Sequence, residues 1–197
     1  LVASFSVGRT QQLTYLLRVL IHRGEIPPLP IYVDSPMAVN ATDIYCGYPG
    51  QHDLAEGHPS GAGCVLIGGD VQLVTTVAES KKLNRIMGPA VIISSSGMMT
   101  GGRILFHLKR RLPHANNTIL MAGYMAPGTR GRRLANGEDR LRIHGREVPV
   151  RAAVERISGL SGHAGRSELL RWLAPLPAPK RVFLTHGEPD SMQALSD

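Results

Sequence analysis

Cysteine is nearly absent from this chain. Its 197 residues include only Cys46 and Cys64, and neither has a Cys or His at Cys-x-x-Cys spacing. That argues against a disulfide framework and a zinc ribbon, and for a reducing, cytoplasmic compartment. Long apolar runs are missing too. None approaches the roughly 20 residues that a membrane span needs, and no charged-then-apolar leader opens the chain, so no membrane partner is expected. Nucleotide fingerprints are also absent, since no Gly-Lys-Ser/Thr follows the glycine-rich stretch and no Gly-x-Gly-x-x-Gly occurs. The chain opens at Leu1, already in a strand-like run, as a piece of a longer protein would.

Acidic charge is in short supply, with 15 Asp and Glu against 22 Lys and Arg, a net charge of +7. Its placement matters more than its size. Residues 1–102 carry six basic and seven acidic side chains, residues 103–156 twelve and four, and residues 157–197 four of each. The whole excess lies in the middle segment, as Arg103, Lys109, Arg110, Arg111, Arg130, Arg132, Arg133, Arg140, Arg142, Arg146, Arg151 and Arg156. Such a field suits a polyanion, and the bias to Arg favours bidentate phosphate contacts. A merely solvated basic face is the alternative reading.

What is present reads as one main domain with an appendage, because 43% hydrophobic and 19% charged residues over this length can bury one core. Val2–Val7 reads as a strand. Leu13, Leu16, Leu17 and Leu20 then form one stripe of a helix that Gly24 ends. Pro27, Pro28 and Pro30 lead to a second strand at Ile31–Asp34. Strand, helix and strand of these lengths make a parallel βαβ unit with a right-handed crossover. Asp34 or Ser35 caps the next helix, with Pro36 in its first turn. Residues 46–69 read as an irregular loop, and its His52 and His58 lack the acidic or cysteine partners of a metal site.

Further on, Val71–Val77 reads as a strand, Glu79–Met87 as a short helix and Ala90–Ile93 as a buried strand. The last runs into Ser94-Ser-Ser-Gly-Met-Met-Thr-Gly-Gly-Arg103 and a helix with Ile104, Leu105, Leu108 and Leu112 on its core face. A small-residue loop before a helix N-terminus can bind phosphate. In that helix His107 is expected only to pack or face solvent. Thr118–Tyr124 is a further strand and residues 127–133 open a short helix. Leu141–Ile143 and Val148–Val150 form an edge hairpin, with residues 152–158 as connector.

Two histidines close the chain, 23 residues apart: His163 in Ser161-Gly-His-Ala-Gly165, before the Leu169, Leu170, Leu173 stripe, and His186 in His-Gly-Glu188. Val182, Phe183 and Leu184 are expected to form a short buried strand ending at His186. The sheet's C-terminal edge, where open α/β sheets hold ligands, would then carry it.

Taken in order, Ser-Val-Gly-Arg-Thr-Gln, Asp-Ser-Pro-Met-Ala, Ser-Gly-Met-Met-Thr-Gly-Gly-Arg, Ala-Gly-Tyr, Ser-Gly-His-Ala-Gly and His-Gly-Glu resemble the β-CASP branch of metallo-β-lactamase-fold ribonucleases. The likeness is strongest to bacterial relatives of the mRNA 3′-end cleavage endonuclease. The resemblance implies an α/β fold, a largely parallel sheet flanked by helices over residues 1–155, the β-CASP domain. Residues 156–197 would then be the returning segment of a metallo-β-lactamase domain.

The resemblance further implies a zinc-dependent hydrolase that cuts RNA, with two zinc ions in the intact protein and none held tightly by this piece. His186 becomes a zinc ligand. His163 becomes the catalytic group that contacts the phosphate or passes a proton to the leaving oxygen. Ser96, Gly97, Arg103 and Ser161 become phosphate contacts. Gly165 stands where many members have Asp. The His-x-His-x-Asp-His ligand cluster is not in these residues, so the piece alone would be inactive. RNA is the expected partner and a homodimer a candidate assembly. Two rival readings are a non-catalytic RNA-binding α/β module and an unrelated doubly wound nucleotide-binding domain.

Overall fold

The computed structural model describes residues 1–55 and 63–196. They divide into two compact units, Leu1–Leu160 and Ser161–Asp197. The first is built on strands β1 (Val2–Ala3), β2 (Ile31–Asp34), β3 (Val71–Leu73), β4 (Val91–Ser94), β5 (Thr118–Met121) and β8 (Ala153–Arg156). These pair in the order β3-β2-β4-β1-β5-β8, and every pairing is parallel. Parallel neighbours need long crossovers. The chain supplies helices α1 (Arg9–His22), α2 (Pro36–Gly47), α3 (Val77–Leu83), α4 (Ile104–Arg111) and α5 (Arg130–Ala135).

Alternation along the strands assigns the two faces. Val2, Ile31, Val33 and Ile93 pack with Leu13 of α1 and Ala38 of α2. Ala3, Ile119 and Met121 point the other way, onto Leu105 and Leu108 of α4 and Leu134 of α5. Tyr32 and Ile92 join Leu83 of α3 on that second face. By the same period-two rule Asp34, two residues after Tyr32, lies on the α3/α4 face. A carboxylate there is buried among apolar side chains and must find partners.

Several sequence expectations move. The chain leaves β1 early because the Phe5 carbonyl accepts from the Thr10 amide and hydroxyl, and Gly8, at φ 77°, makes the turn into α1. The strand at residue 71 stops at Leu73 and α3 starts at Val77, since Thr76 and Glu79 form a reciprocal capping box. Ser35, not Asp34, caps α2 by accepting from the Ala38 amide. The strand expected over Thr118–Tyr124 ends at Met121.

The hairpin β6 (Arg140–Ile143) and β7 (Arg146–Pro149) is a separate two-stranded sheet. Positive φ at His144 and Gly145 makes its two-residue turn, and Leu141, Ile143 and Val148 seat it on the α4/α5 cluster. The main sheet's edge is instead β8, within the stretch read as connector.

The cysteine reading is corrected: Cys46 and Cys64 are joined by a disulfide, with Cα atoms 5.1 Å apart. Spacing along the chain could not foretell a pairing set by proximity in space. The 46–69 loop reading falls partly on residues 56–62, His58 among them, outside the described residues. Before them, the His52 ring stacks on Tyr45 at 5.1 Å between centroids. No helix among the described residues is long and apolar enough to cross a membrane.

The second unit contains α6 (Arg166–Leu173) and α7 (Pro189–Ser196). None of its described residues is buried. The expected strand at Val182–Leu184 does not form: these residues run as irregular chain, with Val182 57% and Phe183 79% exposed. A strand needs a neighbour for its N–H and C=O groups, and no strand lies among the unit's described residues.

Candidate functional site

The connection leaving β2 runs toward β3 and the one leaving β4 runs the opposite way, toward β5. Adjacent strands whose connections part in this manner open a crevice at their carboxyl ends. A cleft of about 830 Å³ lies there, walled by the segments after β1 (Phe5–Val7), β2 (Asp34–Met37) and β4 (Ser95–Gly97 and Gly101–Arg103). Ligand pockets run to roughly 300–1,000 Å³.

Behind this cleft sits Asp34, whose side chain is fully buried. Its Oδ1 accepts from Arg103 Nη1 at 2.7 Å. Its Oδ2 accepts from the Ser80 hydroxyl and from His107 Nε2, each at 2.6 Å. Arg103 also donates to the Val74 carbonyl at 3.1 Å and the Thr75 carbonyl at 2.7 Å. His107 Nδ1 lies 3.2 Å from Asn84 Oδ1. Burial alone would raise the Asp34 carboxyl's pKa, but hydrogen bonds from His107, Ser80 and Arg103, with the charge of His107, reverse it. The group titrates below the ordinary 3.8. One carboxylate thus ties together β2, the end of β3, α3 and the start of α4.

This corrects the expectation for His107 and shows what holds Arg103. His107 neither packs idly nor faces solvent; it is a buried partner of Asp34. Arg103 reaches inward to Asp34 and two carbonyls, with 18% of its side chain exposed, so in this structure its guanidinium braces the loop. The signal for both was present. Arg103 and His107 are four apart, and so share the helix face that looks onto the end of β2.

Ser96 and Gly97 do line the cleft. The Ser96 hydroxyl accepts from the Thr100 amide at 3.2 Å and pairs with its hydroxyl at 3.0 Å, closing the loop on itself. At Gly97 the loop passes close to the segment after β1: a Cβ there would lie 3.0 Å from the Phe5 amide nitrogen and 3.1–3.2 Å from its ring. Backbone cannot yield as a side-chain tip can. Gly97→Ala is therefore expected to cost about 1–3 kcal/mol, read as a lower urea midpoint at unchanged m-value.

The basic segment divides in the same way. Arg111 is buried and donates to the Leu83 carbonyl, Arg130 to the carbonyls of Thr100 and Arg142, and Arg133 pairs with Glu138. Arg132 lies over the Tyr124 ring at 5.7 Å. Lys109, Arg110, Arg140, Arg142, Arg146, Arg151 and Arg156 are exposed, and these remain for a polyanion.

Ser161, His163 and His186 all belong to the second unit. The Ser161 hydroxyl accepts from the His163 amide at 3.2 Å. Gly165 caps α6 with Glu168 reaching back to its N–H at 2.7 Å, so the helix start lacks only the carboxylate of an Asp cap. His163 and His186 are exposed, and His186 sits at φ 64° in the turn before α7. Among the described residues no three His, Cys, Asp or Glu side chains come together to hold a metal ion. A catalytic zinc needs at least three protein ligands, so the described residues do not by themselves fit such a site.

A family model described as the Beta-Casp domain matches residues 10–134. The chain belongs to the Beta-Casp family. A second model, described as a Zn-dependent metallo-hydrolase RNA specificity domain, matches residues 147–197. Ribonuclease TTHA0252 of Thermus thermophilus is 38% identical over 205 residues, covering 99% of this chain and 44% of that protein. Transcription termination factor FttA of Pyrococcus abyssi is 33% identical over 205 residues, covering 96% of this chain and 30% of that factor. An RNase J-like protein of Methanocaldococcus jannaschii is 29% identical over 195 residues, covering 95% of this chain and 42% of that protein. The chain thus spans less than half the length of these relatives. The α/β Beta-Casp architecture, with its six-stranded parallel sheet, is the one expected from the ordered motifs.

Proposed function

We propose that the protein containing this chain is a zinc-dependent ribonuclease that hydrolyses RNA phosphodiester bonds. Residues 1–155 would line the RNA path and residues 156–197 would return to the hydrolase domain. The observation that carries the reading is the coincidence of two matches, Beta-Casp over 10–134 and a Zn-dependent metallo-hydrolase RNA specificity domain over 147–197, with a cleft at the carboxyl edge of the sheet.

His186 would be the one zinc ligand this chain contributes, the others coming from outside Leu1–Asp197, and the bound metal would supply an activated water. Exposed in a turn, His186 is sterically free to take that part. His163, exposed beside the Ser161 hydroxyl, would contact the phosphate or hand a proton to the leaving oxygen. Ser96, Gly97 and Ser161 would approach the RNA backbone through hydroxyl and amide groups, since Arg103 is held by Asp34. With no metal-holding trio among the described residues, the chain by itself is expected to bind RNA without cutting it.

The test of RNA binding is its salt dependence. Affinity for single-stranded RNA should fall steeply with salt. Arg140→Ala, Arg142→Ala and Arg146→Ala together should reduce the log–log slope by roughly one unit for each phosphate that these arginines neutralise. The three side chains are exposed on the hairpin, so their removal should leave the urea midpoint in place. A slope that does not change in the triple variant would remove the hairpin from the RNA path.

A further inference from the structure

Phe5 occupies an unusual seat. It follows β1, the strand between β4 and β5, and stands between the segments that leave those two strands. Both segments place a glycine against it. A Cβ on Gly97 would lie 3.1 Å from ring atom Cδ2, and one on Gly123 would lie 3.3 Å from Cε2. One edge of the ring is therefore fitted into a slot that only glycine backbones leave open. Even so, Phe5 is 41% exposed and lines the cleft. Water-facing aromatic surface held in one position is costly to maintain for packing alone, and it is what a flat ligand uses.

The rest of the cleft says which flat ligand. Its apolar wall includes Val7 and Met37, both largely exposed. Near that wall stands a group of hydroxyls: Ser6 Oγ lies 2.7 Å from Ser95 Oγ and 3.4 Å from Ser35 Oγ. Arg103 is the one cation among the described residues that line it, and that guanidinium is held by Asp34, Val74 and Thr75. A phosphate here would meet only neutral donors, the hydroxyl and amides of the Ser96–Gly97 loop, so the strand's backbone can run along that loop while the apolar wall around Phe5 is left for something other than a phosphate. A nucleobase would lose little, since its faces are apolar and its edge can bond to hydroxyls.

We propose that Phe5 is the stacking seat for one nucleobase of a single-stranded RNA, with the hydroxyls of Ser6, Ser35 and Ser95 in the same cleft to meet its polar edge. The proposal deepens the RNA reading given above and rests on it. It divides the labour: exposed arginines and the Ser96–Gly97 loop meet the phosphate backbone, and the wall around Phe5 holds a base. Stacking is tolerant of base identity, so the seat would fix where the strand lies more than which sequence it has.

The experiment uses the intact protein, kept from cleaving by chelator, and a fluorescein-labelled single-stranded oligoribonucleotide. Phe5→Leu keeps an apolar side chain between Gly97 and Gly123 but removes the ring. It should weaken binding about tenfold, the usual scale for one stacked base, with the salt slope unchanged. Phe5→Trp, in a Trp172→Phe background, should bind as tightly as wild type and lose indole emission when RNA is added. Moving a single abasic position along the oligomer should find one place that costs wild type about tenfold and costs Phe5→Leu nothing. The inference is overturned if Phe5→Leu binds like wild type, if its weaker binding comes with an altered salt slope, or if no abasic position separates the two proteins. Wild type that binds with steep salt dependence beside an equally tight Phe5→Leu would sink this seat alone. Wild type that does not bind RNA at all would sink the functional reading as well.

Discussion

Asp34→Ala should cost the first unit about 3–5 kcal/mol, the scale for removing one partner of a buried charged network. Arg103 would be left beside an apolar hole, and His107 and Ser80 would keep buried polar atoms without their acceptor. Urea denaturation at neutral pH measures it, and a decrease under about 1 kcal/mol would mean the network is not the tie described above. The pH dependence follows from the carboxyl's direction of shift. Its folded pKa is depressed below 3.8, so its stabilisation is complete above the unfolded value and is lost as pH falls through the lower folded value. Wild type should therefore lose its advantage over Asp34→Asn over the range below the ordinary carboxylate value of 3.8. An advantage that stays constant over that range would assign the stability to packing instead of charge.

That network also marks where sequence reading stopped. The parallel sheet was legible because Ile31, Val33, Val91 and Ile93 sit in short β-branched runs separated by helical stripes, and the stripes of α1 and α4 fell where the apolar spacing put them. Turns read well where backbone demands are strict, as at Gly24 and His144-Gly145. The end of β1 was not legible, because Thr10 reaching back to the Phe5 carbonyl is a tertiary event. Nor was the inward turn of Arg103. A loop arginine beside glycines reads as a phosphate ligand until the carboxylate of Asp34, 69 residues away along the chain, is found next to it. The α3 start is written in the sequence as the capping box Thr76-x-x-Glu79. Val182–Leu184 failed for a different reason, since an apolar run specifies a strand only if a partner strand accompanies it.

In the intact protein, His163→Ala is expected to slow RNA cleavage by about 100-fold or more, the scale for removing a positioned acid–base group, while metal content stays at the wild-type level. His186→Ala should instead lower zinc content together with activity, because a site of three or four ligands loses one. Metal analysis separates the two variants. His186 at φ 64° is in a region that favours glycine, so His186→Gly or His186→Asn should fit the turn at least as well as wild type, and with the ligand gone should still lose zinc. Retention of zinc by those variants would remove His186 from the metal.

The central claim is that the chemistry needs both this chain and ligands beyond it. Labelled single-stranded RNA is incubated in parallel with the intact protein and with the 197-residue chain, each with and without chelator. The account predicts cleavage by the intact protein that chelator stops and added zinc restores, and binding without cleavage by the chain alone. Chelator-sensitive cleavage by the isolated chain, or chelator-insensitive cleavage by the intact protein, would contradict it.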